Sequence, residues 1–377
     1  MGGDGDVRLG VVGCRRGGSF ARVAEALAGA RVTAVMDVNE AAAGKLAEQV
    51  GAEAVFTDYG KFLNKAPIDA VIVASPVAEH AGQAVTALDR NIHVLSEVPA
   101  CHDLGSAREL ADAAERTSAT YMFAENVCYF DELVLVRRMA RAGLFGDPLY
   151  GEGEYLHDCK DLWRDEEGRL TWRGTYLNLK GIYITHSLGP LLDIFDDRAT
   201  HLSALAYGST LVFDPEVDRA VGHVVILRTS NGAAIRIRID NAAPRPAVGY
   251  HAVQGTAGAY EAARGLGDRA KVWLASDHEE SHTYRHAPWH DLFAEYAERF
   301  IPERLSVGEE ARRGGHGTSE YWMLQDFLKS VREGTPSPID VYRGLDYTVP
   351  GVVARQSAEQ GGILLPVPDF RPEASSS

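Results

Sequence analysis

The chain has 377 residues, 45% of them hydrophobic, with 53 acidic and 38 basic side chains and a formal net charge of −15. At about 150 residues per domain this is enough for two domains, and the negative balance excludes nucleic acid and anionic membrane surfaces, which recruit basic patches, as main partners. Apolar runs reach about five residues against the roughly 20 of a membrane span, and Met1–Gly10 lacks the basic and apolar regions of a signal peptide, so a cytoplasmic protein is expected.

In chain order, Arg8–Val12 reads as a short buried strand, followed by a Gly-rich turn and a helix over Ser19–Ala28. Strand Arg31–Met36, helix Ala41–Val50, strand Ala70–Ala74 and helix Glu79–Asp89 follow, then strand His93–Leu95, helix Leu104–Thr117 and strand Tyr121–Phe123. Such alternation implies a parallel sheet with helices on both faces. Beyond residue 125 the pattern changes: Leu149–Leu156, Val221–Thr229 and Ala233–Asn241 alternate in polarity, with Asn231-Gly232 as a hairpin turn between the last two. Helix Ser319–Glu333 carries an apolar stripe from Trp322 to Val331 that reads as core. The fold class expected is α/β: an N-terminal Rossmann domain with a parallel sheet over 1–125, and a C-terminal α/β domain with a large, mostly antiparallel open sheet over 126–370. Residues 371–377 read as a disordered tail.

Gly13-Cys-Arg15-Arg16-Gly17-Gly18 lies where the G-x-G-x-x-G fingerprint turns a strand into a helix whose N-terminus receives a pyrophosphate. Gly13 and Gly18 fit the outer glycines, and Arg15 stands in the middle place. Asp37, at the end of the second strand and 19 residues after Gly18, suits the adenosine ribose hydroxyls and would repel a 2′-phosphate. NAD is therefore expected over NADP, although Arg15 and Arg16 could each meet a phosphate. Cys14, Cys101, Cys128 and Cys159 contain no C-x-x-C pair and read as reduced thiols. His278, His282, His286 and His290 recur every fourth residue, but Pro288 interrupts any helix, so a loop rather than a metal site is expected.

The chain resembles the Gfo/Idh/MocA family of nicotinamide-dependent oxidoreductases through Val71-Ile-Val-Ala-Ser75-Pro76 with His80, His93-Val-Leu-Ser-Glu97-Val98-Pro99, Pro338-Ile-Asp340-Val-Tyr342 and Val367-Pro-Asp369-Phe370. Two positions depart from that family. Val98 replaces its usual lysine, and His186 and Pro190 replace the Asp and His of its Asp-x-x-x-His pair. Both departures suit a closer resemblance to the NAD-dependent glycosidases of glycoside hydrolase family 109. It is carried by Glu97-Val98-Pro99, Glu125-Asn126-Val-Cys-Tyr129, Gly151–Asp158, Trp172-Arg173 and Tyr183-Ile-Thr185-His186-Ser-Leu-Gly-Pro190, with Ile184 and Ser187 departing from the usual run.

The resemblance implies cofactor contacts at Gly13, Arg15, Arg16, Asp37, Ser75, Pro76, His80, Glu97, Val98 and Asn126. It implies substrate contacts at Arg173, Thr185, His157 and Tyr250, and catalysis by His186, Tyr183 and Tyr155. His186 would be the base for a sugar carbinol and Tyr183 or Tyr155 the base at the carbon acidified by its oxidation. His157-Asp158 reads equally well as a structural pair, and Trp172-Arg173 as a surface cation–π pair. The expected function is NAD-dependent oxidation of a sugar carbinol, as the opening of redox-neutral glycoside cleavage. The alternatives are a net sugar or cyclitol dehydrogenase or reductase, or a non-catalytic NAD-dependent sensor. A homo-oligomer, dimer or tetramer, is expected from the family's open sheet.

Overall fold

The computed structural model describes residues 6–175, 181–242, 244–277 and 288–372. The chain divides into two compact units: one holds Met1–Phe130, Val307–Val349 and Asp369–Ser377, the other Asp131–Ser306 and Pro350–Pro368. The first unit thus extends five residues past the expected boundary at 125 and takes in a later stretch of chain as well.

In the first unit, strands β1 (Val7–Val12), β2 (Ala30–Met36), β3 (Ala54–Phe56), β4 (Ala70–Val73), β5 (His93–Ser96) and β6 (Tyr121–Phe123) form one sheet in the order β3-β2-β1-β4-β5-β6. Every pairing is parallel. Helices α1 (Cys14–Ala24), α2 (Glu40–Val50), α3 (Tyr59–Lys65), α4 (Val77–Leu88) and α5 (Leu104–Glu115) connect them. β4, with four apolar residues at 0% exposure, is buried as a central parallel strand requires. The order reverses at β1, so the crevice at the carboxyl ends of β1 and β4 is the place where such sheets receive ligands.

α1 begins at Cys14 rather than Ser19, so Gly17 and Gly18 lie within the helix. A Cβ on Gly17 would stand 2.5 Å from Val11 Cγ1, whereas one on Gly18 would meet nothing nearer than 3.2 Å. Gly17 therefore takes the close helix–strand packing, although Gly18 is the residue that fits the fingerprint's last glycine. β3 and α3, three and seven residues long, escaped the sequence reading. α11 (Ser319–Glu333) belongs to this unit, burying Met323, Leu324, Phe327 and Leu328.

The second unit is built on a nine-stranded sheet ordered β14-β13-β12-β11-β7-β10-β9-β8-β15. Its strands are β7 (Pro148–Leu156), β8 (Ala199–Tyr207), β9 (Gly222–Thr229), β10 (Ala234–Asp240), β11 (Val248–Gly255), β12 (Gly258–Glu261), β13 (Lys271–Leu274), β14 (His290–Asp291) and β15 (Leu365–Pro366). β7 and β10 pair in parallel, and all other pairings are antiparallel. The hairpin at Asn231-Gly232 joins β9 to β10, with Gly232 at φ 91°. Val225 and Leu227 are buried while Ile226 is 59% exposed, so β9 is covered on one face only. Helices α6 (Asp131–Arg141), α7 (Trp172–Thr175), α8 (Thr185–Phe195), α9 (Leu292–Phe300) and α10 (Pro302–Leu305) belong to this unit. α12 (Val341–Glu359) contributes residues to both units, dividing at Pro350.

Gly153 on β7 lets α8 approach: a Cβ there would lie 2.3 Å from the Ser187 carbonyl oxygen. None of the four cysteines forms a disulfide, and no helix among the described residues is long and apolar enough to cross a membrane.

Candidate functional site

The first unit presents a dinucleotide cradle. Gly13 caps α1 in the left-handed region at φ 84°, and a Cβ there would stand 2.4 Å from Ala74 O and 2.7 Å from Ser75 N. Only glycine meets both demands. The α1 N-terminus has no side-chain cap. Its Cys14 N–H donates to Asp37 Oδ2 (2.8 Å), and the Asn39 N–H donates to Asp37 Oδ1 (2.9 Å). With the Gly17 N–H on Gly13 O, the Arg15 and Arg16 N–H groups are the first-turn donors without an intrahelical acceptor, as a phosphate site needs. Asp37 directly follows β2, where the fingerprint expects a ribose. These residues fit a dinucleotide.

The Arg16 side chain is committed elsewhere. Its Nε donates to Glu97 Oε1 (2.6 Å) and its Nη1 to Glu320 Oε1 (2.8 Å), both carboxylates being buried. The side chain expected at a phosphate thus stands on two carboxylates, while the Arg15 side chain is exposed. His80 is 2% exposed, with Nε2 2.7 Å from Ser75 O and Nδ1 2.9 Å from Pro99 O, so its ring nitrogens join the Ser75-Pro76 and Val98-Pro99 backbones. Ser75 Oγ donates to Gln83 Oε1 (2.7 Å), and exposed Pro76 caps α4. Val98 and Asn126 are buried at the carboxyl ends of β5 and β6, the latter in a 3₁₀ turn where Glu125 accepts from Val127 N–H.

The second unit gathers the predicted catalytic trio. Tyr183 OH lies 2.8 Å from His186 Nε2, and their rings meet edge to face at 4.9 Å between centroids. The Tyr155 ring, from β7, lies 5.3 Å from that of His186 and 6.1 Å from that of Tyr183. His157 stacks on Tyr155 at 5.7 Å, and its Nδ1 is 3.1 Å from Cys159 Sγ. Burial pushes the Cys159 thiol up to about 11 against the opposing pull of Arg173. The Arg173 guanidinium lies 4.2 Å over the Trp172 ring. Thr185, 1% exposed, buries a hydroxyl with no hydrogen-bond partner among the described residues.

Tyr250 does not join this group. It pairs across β11–β7 with Glu154, whereas Tyr155 pairs with Gly249. Successive strand residues point to opposite faces, so Tyr250 lies on the far face, under the Arg264 guanidinium at 3.6 Å. The residue beside it, His251, was missed. It pairs with Gly153 on the Tyr155 face, and its Nε2 donates to His186 O at 3.0 Å. Pro190, four residues after His186, has no N–H for that carbonyl, so His251 supplies the donor that the helix cannot. Parity along β11 was the available signal. The site reading also passed over His316 and Glu320 of the first unit, at 2.6 Å. Of the histidine series, His278, His282 and His286 lie outside the described residues and His290 Nδ1 pairs with Glu295. No metal-holding group occurs among the described residues.

Comparison with known proteins matches the oxidoreductase family's NAD-binding Rossmann fold over residues 7–125 and the C-terminal domain of glycosyl hydrolase 109 over residues 217–374. Residues 7–125 thus match the NAD-binding domain of the Gfo/Idh/MocA oxidoreductases, and the protein is an NAD-dependent enzyme. The C-terminal match bears out the resemblance to glycoside hydrolase family 109 read from the sequence. It is 29% identical over 350 residues to a glycosyl hydrolase family 109 protein of Shewanella pealeana, covering 86% of this chain and 74% of that one. It is 28% identical over 397 residues to an α-N-acetylgalactosaminidase of Shewanella oneidensis, covering 97% and 85%. In structure it is similar to levoglucosan dehydrogenase in complex with NADH and levoglucosan, with TM-score 0.80, 19% identity, and 97% and 100% of the two chains covered.

Proposed function

We propose that the enzyme oxidises a carbinol of a glycoside and thereby opens a redox-neutral cleavage of the glycosidic bond. The observation that carries this reading is the Tyr183–His186 hydrogen bond of 2.8 Å with the Tyr155 ring beside it. Two proton-handling groups and a second phenol are what an oxidation followed by an elimination requires. The name of the Shewanella oneidensis relative supports a glycosidic substrate.

NAD held by the first unit would supply the hydride acceptor for the oxidation and the hydride donor for the closing reduction. His186, as base, takes the carbinol proton, and the hydrogen-bonded Tyr183 hydroxyl shares it. The carbonyl so formed acidifies the neighbouring C–H. Tyr155, on β7, takes that proton, the electron pair expels the glycosidic oxygen from the next carbon, and the proton passes to that oxygen so that it leaves as the alcohol. Water adds to the resulting double bond, and the proton held at His186 and Tyr183 would go back to the oxygen as the carbonyl is reduced again, so the net change is hydrolysis. Thr185, with its buried unpaired hydroxyl, and Arg173, with His157, hold the sugar. Gly13, the Arg15 and Arg16 backbone, Asp37, Ser75, Pro76, Glu97, Val98 and Asn126 form the cofactor's bed.

Incubation with a glycoside panel in heavy water tests this. Cleavage with deuterium beside the oxidised carbon and no net NADH is expected. Stoichiometric NADH without cleavage would replace this reading by a net dehydrogenase, and neither would point to a sensor. Normal substrate-driven NADH formation by His186→Ala would overturn the assignment of the base. We further propose a cytoplasmic homo-oligomer without nucleic-acid or membrane partners. Its support is the net charge of −15 and the open sheet face, where Leu205 and Ile226 are each 59% exposed. A monomer by light scattering would refute the assembly.

A further inference from the structure

Arg16 sits at the dinucleotide turn, yet its charge is spent. Glu97, 7% exposed, and Glu320, 0% exposed, both bind it, leaving one surplus negative charge. Asp37 adds another at the same helix end. A pyrophosphate bearing two negative charges would meet a turn without a net cation from Arg16. The side chain placed beside this cluster is His316, in the loop Gly314-Gly315-His316-Gly317 ahead of α11.

His316 Nδ1 lies 2.6 Å from Glu320 Oε1. A carboxylate only accepts, so Nδ1 carries the proton, and its 3.3 Å approach to Arg16 Nη1 joins two donors held by one oxygen. Ser319 Oγ donates to the other oxygen, Oε2, at 3.1 Å. Burial alone would raise Glu320, but the bonds from His316 and Arg16 hold it at about 2. The imidazole is thus oriented by a buried carboxylate, the arrangement that prepares a histidine for work at its far nitrogen. The His316 side chain is 47% exposed, and no described residue bonds its Nε2.

Its place in the fold selects the half of the ligand. Asp37 ends β2 and marks the adenosine half. The Arg16–Glu97 bond runs the other way, from the first turn of α1 past β4 to the carboxyl end of β5. We infer that His316 is a cofactor contact, its Nε2 meeting the nicotinamide-side ribose or its 5′-phosphate, with Glu320 as its positioning residue. A charge-assisted bond of this kind changes affinity by about 10- to 100-fold.

The test is binding to cofactor-depleted protein by calorimetry, with NAD, ADP-ribose and AMP as probes. His316→Ala is expected to weaken NAD and ADP-ribose by at least about 10-fold while leaving AMP within twofold. His316→Gln, which keeps a donor at the position of Nε2, is expected to recover part of the loss. Equal binding of all three probes by wild type and His316→Ala would overturn the inference. So would an equal loss for AMP, which would mean a distorted turn rather than a lost contact. Unchanged thermal unfolding of both unliganded variants is the accompanying expectation. None of these readouts depends on turnover, so failure here and failure of the glycosidase reading are separable.

Discussion

Replacing Gly153 by alanine tests whether the closeness of β7 and α8 sets the Tyr–His geometry. A Cβ there would lie 2.3 Å from Ser187 O and 2.9 Å from Ile237 Cδ1. The backbone oxygen cannot rotate away, so the first turn of α8 must retreat by about 1 Å to reach ordinary contact. Such overpacking costs roughly 1–3 kcal/mol, or about 2–4 °C in Tm for each kcal/mol in a unit of this size. His186 immediately precedes Ser187, so the retreat stretches its 2.8 Å bond to Tyr183. A misplacement of about 1 Å lowers turnover by about 100-fold. Gly151→Ala is the control, on the same strand face. Its Cβ would approach Phe195 Cζ at 3.1 Å, a side-chain tip that can give way, so neutral stability and near-normal turnover are expected. Thermal unfolding and initial rates on an active glycoside would measure both. Gly153→Ala matching Gly151→Ala in Tm and rate would refute the reasoning.

Arg16→Met leaves Glu97 and Glu320 buried without their shared cation. The expected loss is on the order of 3–5 kcal/mol, read as a fall of roughly 10 °C in Tm. Asp37→Ser removes the acceptor that ends β2 and should weaken NAD by about tenfold while narrowing its advantage over NADP, measured by titration with each. His251→Leu, which leaves His186 O without its donor, should lower kcat more than it raises KM, with partial rescue in His251→Gln; an unchanged kcat would remove His251 from the site. Burial drives His223 down to about 4, with Arg355 adding to the effect. The unfolded chain therefore takes up a proton that the fold refuses as pH falls from about 6.5 to 4. Stability should decline across that window by on the order of 3 kcal/mol, and His223→Gln should flatten the decline in denaturant titrations at several pH values.

The parallel sheet was legible because its strands are continuous apolar runs, as in Ala70–Val73, separated by helices with recognisable ends such as the Asn39 cap of α2. α1 was misread at its start because Gly17-Gly18 looks like a loop. In the folded chain Gly17 is there for contact with Val11, and the helix tolerates it. The stripe on α11 announced a buried face without announcing whose core it enters; that pairing is nonlocal and leaves no local mark.

At the candidate site, residue types were easier to read than their directions. Tyr155, Tyr183 and His186 came together, while Tyr250 and His251 exchanged faces through a one-residue difference in strand parity. Pro190, read as a departure from the family's usual histidine, has a consequence that no motif states. By withholding an N–H from His186 O, it leaves a carbonyl for a side chain on another strand to hold, so the base of the proposed reaction is fixed by β11 as well as by its own helix. The same holds for Arg16: its sequence neighbours say phosphate, but two buried carboxylates far along the chain decide what its charge can do. If His316 supplies the missing contact, the NAD site is completed by a segment about 300 residues from its fingerprint, and a variant in that loop should alter cofactor affinity while the Gly13 turn itself is untouched.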